Sequence, residues 1–414
     1  MPSQTLTCLP YRSALTVLGL TLLLADASAQ TQVVKPPVAQ YWMDVSTASV
    51  AGMVRGTPGQ KSGAGDGSHF GATRGASPGR WLDLAVATQR KPNGTQAVQL
   101  IPPGQAMGAS LTLQPVDTAV GKPAVNGLDA YDGPEQPKGR VLLYWGCGDT
   151  VRDGQPKVID FNATGAPSFA RFMTGRGVRQ FGATAAPGNA VWPTAQYHQP
   201  IPKSASLVGQ HTVTGDGLPT SLQFAVPAAQ DIMPPLALTG TGGGNRATTI
   251  GWNSLSAARA YFVNAMGTVN SGADPELVIW SSSEVPEPGW GLMDYIGNSH
   301  LDKWLGEKVL LSTNQTRCAI PAGIFAKVDS ATVQAIAYGQ ELHLTHPARP
   351  ANAKVAWEQE WTAQIRVKSQ STMPLDQGGL AVKRQTDKPL MPTIPGMPDI
   401  AGAMGGALKG LFGR

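Results

Sequence analysis

The chain has 414 residues, of which 14% are charged, and its net charge is only +5. So small a basic excess over so long a chain gives no nucleic-acid footprint, although it suits a mild attraction to anionic envelope polymers. Glycine (49) and proline (34) are abundant, but 42% of residues are apolar, which excludes a chain disordered throughout.

Residues 1–29 read as a cleavable secretory signal peptide. A polar start carries Arg12, an apolar core runs from Ala14 to Ala25, and Asp26-Ala27-Ser28-Ala29 supplies a small-x-small cleavage site. The apolar core is shorter than the roughly 20 residues that cross a bilayer. Cys8 precedes the core, whereas a lipoprotein cysteine follows it. No later segment is apolar enough to span a membrane. The mature chain is therefore expected to begin near Gln30 and to be exported, to the periplasm, the outer membrane or the medium. Two cysteines remain, Cys147 and Cys318. In an oxidising compartment they can pair, or each can lie buried as a thiol.

The chain beyond Gln30 is too long for one ordinary core, so two domains are expected. Residues 30–230 read as an N-terminal β domain. Gln40–Thr47 is an apolar-polar stretch. Leu82, Leu84 and Val86 alternate, Pro92-Asn93-Gly94 gives turn chemistry, and Ala97–Ile101 alternates again, which predicts a hairpin. Further strands are predicted at Ser110–Gln114, Arg140–Trp145, Lys157–Phe161, Ala205–Val213 and Ser221–Val226. Gly52–Gly79 and Asn162–Ser204 read as long Gly-rich loops.

Residues 231–244, with Pro234-Pro235 and Gly242-Gly243-Gly244, read as a linker. Strands are then predicted at Ala247–Trp252, Arg259–Ala265, Leu277–Ser281, Thr332–Tyr338 and Trp361–Ser369. The insertion 286–308 spaces Leu292, Ile296, Leu301, Trp304 and Leu305 for one helical face. Residues 371–414 read as a flexible tail rich in Pro, Gly and Met, with Gly402, Gly406 and Gly410 at four-residue spacing.

Trp252 and Tyr261 on two early strands, with Tyr338 late, resemble the aromatic pattern of a fibronectin type III or immunoglobulin-like sandwich over residues 245–370. That resemblance implies a scaffold and no activity. The runs Tyr144-Trp145-Gly146-Cys147-Gly148, Val278–Glu284 and Ala337–Glu341 resemble stretches of an uncharacterised family of exported bacterial proteins, again without an activity.

No coherent catalytic constellation stands out. Gly75-Ala76-Ser77-Pro78-Gly79 has the letters of a nucleophile elbow, but a Gly-rich loop precedes it and Pro78 opposes helix after it. Gly240–Gly244 lacks the third glycine and the lysine of phosphate-binding loops. His343 and His346 would face opposite sides of a strand, and no zinc-type motif is present, so neither metal nor cofactor is expected. Glu358 and Glu360 would share one strand face, with Trp357 and Trp361 on the other. Glu284, Glu287, Asp294 and His300 cluster around the insertion beside Ser281–Ser283. These acids define an alternative, a secreted hydrolase acting on glycans or esters. The binding candidates are Trp290 and Trp304 at the insertion, and Arg171, Arg176 and Arg179 interleaved with Phe169, Phe172 and Phe181, since arginine with aromatics suits anionic or sugar-like ligands. The expectation is a mainly β, non-enzymatic envelope protein that binds or scaffolds. Envelope polysaccharide or another envelope protein is its expected partner.

Overall fold

The structure is a computed structural model and describes residues 32–51, 68–116, 139–160, 176, 182–243, 246–269 and 276–375. The leader, the tail beyond Leu375, Arg171, Arg179 and the three interleaved phenylalanines lie outside the described residues.

The described chain is mainly β. Its strands are β1 (Val34–Lys35), β2 (Ala39–Val50), β3 (Gly79–Thr88), β4 (Ala97–Leu100), β5 (Ser110–Pro115), β6 (Arg140–Trp145), β7 (Lys157–Asp160), β8 (Asn189–Trp192), β9 (Gly209–Gly215), β10 (Gln223–Val226), β11 (Leu238–Gly242), β12 (Thr248–Trp252), β13 (Ala258–Val269), β14 (Glu276–Ser281), β15 (Arg317–Ile320), β16 (Ser330–Gly339), β17 (Leu342–His346), β18 (Trp357–Glu358) and β19 (Trp361–Pro374). Helix α1 (Asn298–Gly306) lies in the insertion.

One large sheet runs in the order β10-β9-β4-β5-β8-β3-β2-β19-β16-β13-β14-β6-β7, with β17 beside the start of β19. At its centre β2 pairs in parallel with β19, from Ala39 opposite Trp361 to Val50 opposite Thr372. The ladder therefore runs without a break across the expected domain boundary. Strands β11, β12 and β15 form a separate antiparallel sheet.

Alternation gives the large sheet two faces. Tyr41, Met43, Val45, Leu84, Val263, Val333, Ile365 and Val367 fall on one face and join a continuous apolar core. Ile250, Trp252 and Ile320 of the small sheet complete that core on one side. On the other side the β4–β10 end of the sheet curls back. Phe224 on β10 meets Tyr41 at 5.0 Å between ring centroids, and the Tyr41 hydroxyl donates to Gln99 on β4. His211 on β9, fully buried, lies 3.0 Å from the Gln99 amide and 2.7 Å from the Leu207 carbonyl, stacked on Phe224. Burial holds its pKa below the ordinary range, against the pull of the Leu207 carbonyl.

Several elements differ from the sequence expectation. β3 and β4 do not form a hairpin with each other: β2 and β8 occupy both edges of β3, and β4 pairs with β5 and β9. The stretch read as the loop Asn162–Ser204 contains β8, whose four buried residues sit between β3 and β5. The stretch read as a linker contains β11, where Gly240 and Gly242 take part in a ladder with β12. The expected short helical insertion forms a 3-10 turn at Trp290–Leu292 and then α1. Gly289 and Gly297 interrupt it, each preceding a helical start. Its apolar residues Leu292, Ile296, Leu301 and Trp304 nevertheless pack together, on Phe262, Ile336 and Tyr338.

Cys147, just past β6, is disulfide-bonded to Cys318 on β15, with Cα atoms 5.1 Å apart and a sequence separation of 171. The bond joins the far end of the large sheet to the small one. In the chain-entropy picture, closing a loop of this length stabilises the fold by about 5 kcal/mol. Reduction, or paired Cys147→Ser and Cys318→Ser substitution, is expected to lower the unfolding free energy by about 2–5 kcal/mol, read from denaturant midpoints. A midpoint indifferent to reductant would contradict this role.

Candidate functional site

The second face of the large sheet is polar at its centre and is still buried. Asp83 on β3 stands opposite Asp44 on β2, and Asp44 stands opposite Arg366 on β19. Three charged residues thus share one row. Arg366 donates from Nε to Asp44 Oδ1 at 2.7 Å and from its terminal nitrogen to Oδ2 at 2.6 Å. This fork leaves Asp44 1% and Arg366 4% exposed. Asp44 Oδ2 also accepts from the Ala183 N–H at 3.1 Å. Gly182 lies so close to the Arg366 guanidinium that a Cβ would stand 1.7 Å from it, so this position requires glycine.

Two residues along β19, Lys368 donates to Asp294 of the insertion at 2.9 Å. Tyr295 lies beneath both cations, 4.4 Å from Arg366 and 4.6 Å from Lys368. Arg74, from a 3-10 turn at Ala72–Arg74, approaches Asp44 at 3.6 Å and Asp294 at 3.5 Å. The same turn covers Asp83, which accepts from the Gly71 N–H at 3.0 Å and from the Thr73 hydroxyl. Chain segments far apart in sequence thus lock together through charge.

Burial sets the electrostatics. It raises Asp83 to about 7, with Asp44 pushing the same way against the Thr73 hydroxyl, the Gly71 N–H and Arg74. Burial also pushes Asp294 upward, but Lys368, Arg74 and Arg366 together hold it below the ordinary carboxylate range. Lys368 is lowered by burial, only partly offset by Asp294. The oxygens of Asp83 and Asp44 are engaged with protein donors, so the cluster works as a tie between layers.

A second ion-pair group lies at the insertion. Arg176 is 3.1 Å from Glu287 and 2.7 Å from Glu307, with its guanidinium 5.9 Å from the Trp304 ring centroid. His300 packs against the same ring at 5.2 Å. Two of the expected binding residues, Arg176 and Trp304, therefore meet. Trp290 and Trp304 are each only 4% exposed, and Trp304 packs with Ile296 and Leu301.

The other acidic candidates stand apart. Glu284 accepts a forked bond from Arg152. Glu287, buried, accepts from the Gly289 N–H at 2.9 Å. Burial raises its pKa, against Gly289 and Arg176. Glu358 is exposed and pairs with Lys35 across the short β1–β18 ladder. Glu360 accepts from the Ser221 hydroxyl. The strand breaks between β18 and β19, so Glu358 and Glu360 do not share the continuous face that alternation suggested. His343 is paired with Glu341, and His346 stacks on Trp361. No group of three metal-ligating side chains occurs among the described residues.

Comparison with protein-family models, with curated proteins and with solved structures finds no match for this chain.

Arg366→Met is expected to destabilise the fold by about 3–5 kcal/mol, because it leaves Asp44 buried without its cation. Adding Asp44→Asn should recover part of that loss, measured by a double-mutant cycle in denaturant. Asp83 gives a pH signature. The folded group titrates near 7 and the unfolded one near 3.9. Its contribution to stability is therefore complete below about pH 4 and lost as pH rises to about 7. Asp83→Asn should exceed the wild type in stability at pH 8, on the order of 2–4 kcal/mol, with the gap closing toward pH 4. Parallel stability curves for the two proteins would refute the assignment.

Proposed function

We propose that this is an exported protein of the cell envelope, periplasmic, secreted or held at the outer membrane, that binds or scaffolds rather than catalyses. Envelope polysaccharide is the favoured partner and another envelope protein the next. The observation that carries this reading is the Cys147–Cys318 disulfide, which joins the two sheets and belongs to an oxidising compartment. It agrees with the leader read at residues 1–29. A binding role is favoured over hydrolysis because Glu284, Glu287 and Glu358 are held in separate ion pairs and Glu360 by Ser221.

The architecture we assign to the second half is a fibronectin type III-like sandwich. Supporting it, the order β11-β12-β15 faces β14-β13-β16-β19 across a shared core. Trp252 meets Tyr261 edge-on at 5.6 Å, and the Leu255 N–H donates to the Tyr261 hydroxyl. Tyr338 departs from the expected pattern: its hydroxyl donates to the Leu292 carbonyl on the opposite face. The first half shares the large sheet with this unit through the β2–β19 ladder.

Fractionation of cells expressing the full chain tests the assignment. Mass spectrometry of the envelope and medium fractions should find a mature N-terminus at Gln30 and no free thiol at Cys147 or Cys318. The mature protein should also pellet with insoluble envelope polysaccharide. An intact leader with free thiols in the cytoplasm would overturn the export reading, and failure to pellet would remove the polysaccharide.

A further inference from the structure

Four residues back along β2 from Asp44, the second face of the large sheet comes into the open. Asn189 on β8 stands opposite Ala87 on β3, Ala87 opposite Gln40 on β2, Gln40 opposite Thr362 on β19, and Thr362 opposite Thr345 on β17. Residues so paired point to the same face. Gln40 is exposed, and Ala87, Thr362 and Thr345 are half-buried. Neighbouring strands thus present an uncharged polar track about 19 Å long, the width of four strand spacings. Trp42, on the same side of β2, is half-buried where it packs on Ala85, Ala183 and Val191, and it marks the edge of the covered zone.

At its β3–β8 end the track leads into an open cleft of about 200 Å³. Gln40, Ala87 and Asn189 of the track line it, together with Pro37, Pro92 and Pro187 from three separate turns. None of its lining residues is ionisable. The walls are set before any ligand arrives. Each proline fixes its own φ. Gln89 donates to the Pro37 carbonyl at 2.9 Å, which ties the turn after β3 to the segment before β2. Gly188, at φ +89, lies so near the turn at Pro92 that a Cβ would stand 2.5 Å from the Pro92 carbonyl oxygen. Asn189 donates to the Thr184 carbonyl at 2.9 Å. A pre-formed cleft loses little freedom of its own on binding. An enclosed pocket suits a free small molecule, whereas an open one lets an inner unit of a polymer sit while the chain runs on.

We propose that the cleft at Gln40, Ala87 and Asn189, continued by the track over Thr362 and Thr345, seats an extended, uncharged polysaccharide chain. One sugar ring lies in the cleft and the following units cross the strands. This rests on the polysaccharide-binding reading above and names its contact surface. A neutral chain is favoured over an anionic one, because no group there would offset the desolvation of a charge. The exposed Gln40 amide offers a donor and an acceptor to sugar hydroxyls, and the threonine hydroxyls offer both as well. The proline rings and Ala87 give apolar surface to the C–H face of a ring. The cleft is smaller than the roughly 300 Å³ at which ordinary small-molecule pockets begin. A single sugar therefore binds weakly, and affinity grows with the number of linked units that touch the track.

The test is calorimetric titration of the mature, disulfide-intact protein. The probes are hexasaccharides of glucose and of N-acetylglucosamine, their monosaccharides, and polygalacturonate as an anionic chain. Saturable binding of at least one neutral hexasaccharide is expected, at least tenfold tighter than its monosaccharide and unmoved by salt. Ala87→Arg, which fills the cleft, should abolish it. Gln40→Ala should weaken it about fivefold, and Thr362→Arg, out on the track, should weaken it as well. Gln40 is exposed, so Gln40→Ala should keep the wild-type thermal midpoint, and its loss of binding is then no loss of fold. No saturable binding of either hexasaccharide, equal binding by Gln40→Ala and Ala87→Arg, or tighter and salt-dependent binding of polygalacturonate would overturn the proposal. Pelleting with insoluble envelope polysaccharide separates the two levels. Wild type that pellets, with Ala87→Arg pelleting undiminished, refutes this cleft and leaves the binding reading standing. Hexasaccharide binding that the variants abolish, in a protein that does not pellet, supports the cleft and refutes the polymer.

Discussion

The Asp44–Arg366 pair ties together segments from the two ends and the middle of this chain. Its partners are 322 residues apart in sequence, yet they lie side by side on neighbouring parallel strands. Two opposite charges taken out of water are tolerable only with near-ideal geometry and with their remaining donors and acceptors met. The forked hydrogen bonds supply the geometry. The Ala183 N–H, the turn bearing Arg74 and the insertion bearing Asp294 and Tyr295 supply the rest. The pair thus requires three covering segments to be in place before it contributes, which couples the ends of the chain to its middle.

That coupling explains a sheet with two different buried faces. An antiparallel sheet commonly packs one face and leaves the other to water. Here the apolar face closes against the small sheet and the curled-back β4–β10 end, while the second face is roofed by the insertion and by a 3-10 turn. The roof is apolar where it meets Phe262, Ile336 and Tyr338 and ionic where it meets Arg366 and Lys368. Beyond the apolar zone, on its side away from the ionic one, lies an uncharged row of Ser281, Asn264 and Gln334.

The ionisable groups make the same distinction between structure and chemistry. Arg176 bridges Glu287 and Glu307 and lies over Trp304, which ties the insertion to a segment far from it in sequence. Acids that could have formed a catalytic pair are separated, each held by its own partner. A perturbed carboxyl does exist in Asp83, but both its oxygens accept from the turn that covers it.

Alternation and turn chemistry in the sequence were enough to place most strands of the described chain, because period-two patterning follows from the pleat itself. The helical spacing of Leu292, Ile296, Leu301 and Trp304 likewise identified the buried side of the insertion, and the expectation of export, with two cysteines beyond the expected leader, allowed a disulfide. Pairing was another matter. Neither β8 within a Pro- and Gly-rich stretch nor the parallel partnership of β2 with β19 leaves a local signal, since both depend on residues far away in the chain. For the same reason the sequence singled out none of Asp44, Asp83, Arg366 and Lys368: alternation tells which side chains share a side, and says nothing about whether that side meets water. Only the tertiary structure, by laying the insertion over the sheet, turned that polar face into a buried ion-pair cluster and left Ser281 Oγ, the Asn264 amide and Gln334 Oε1 enclosed without hydrogen-bond partners.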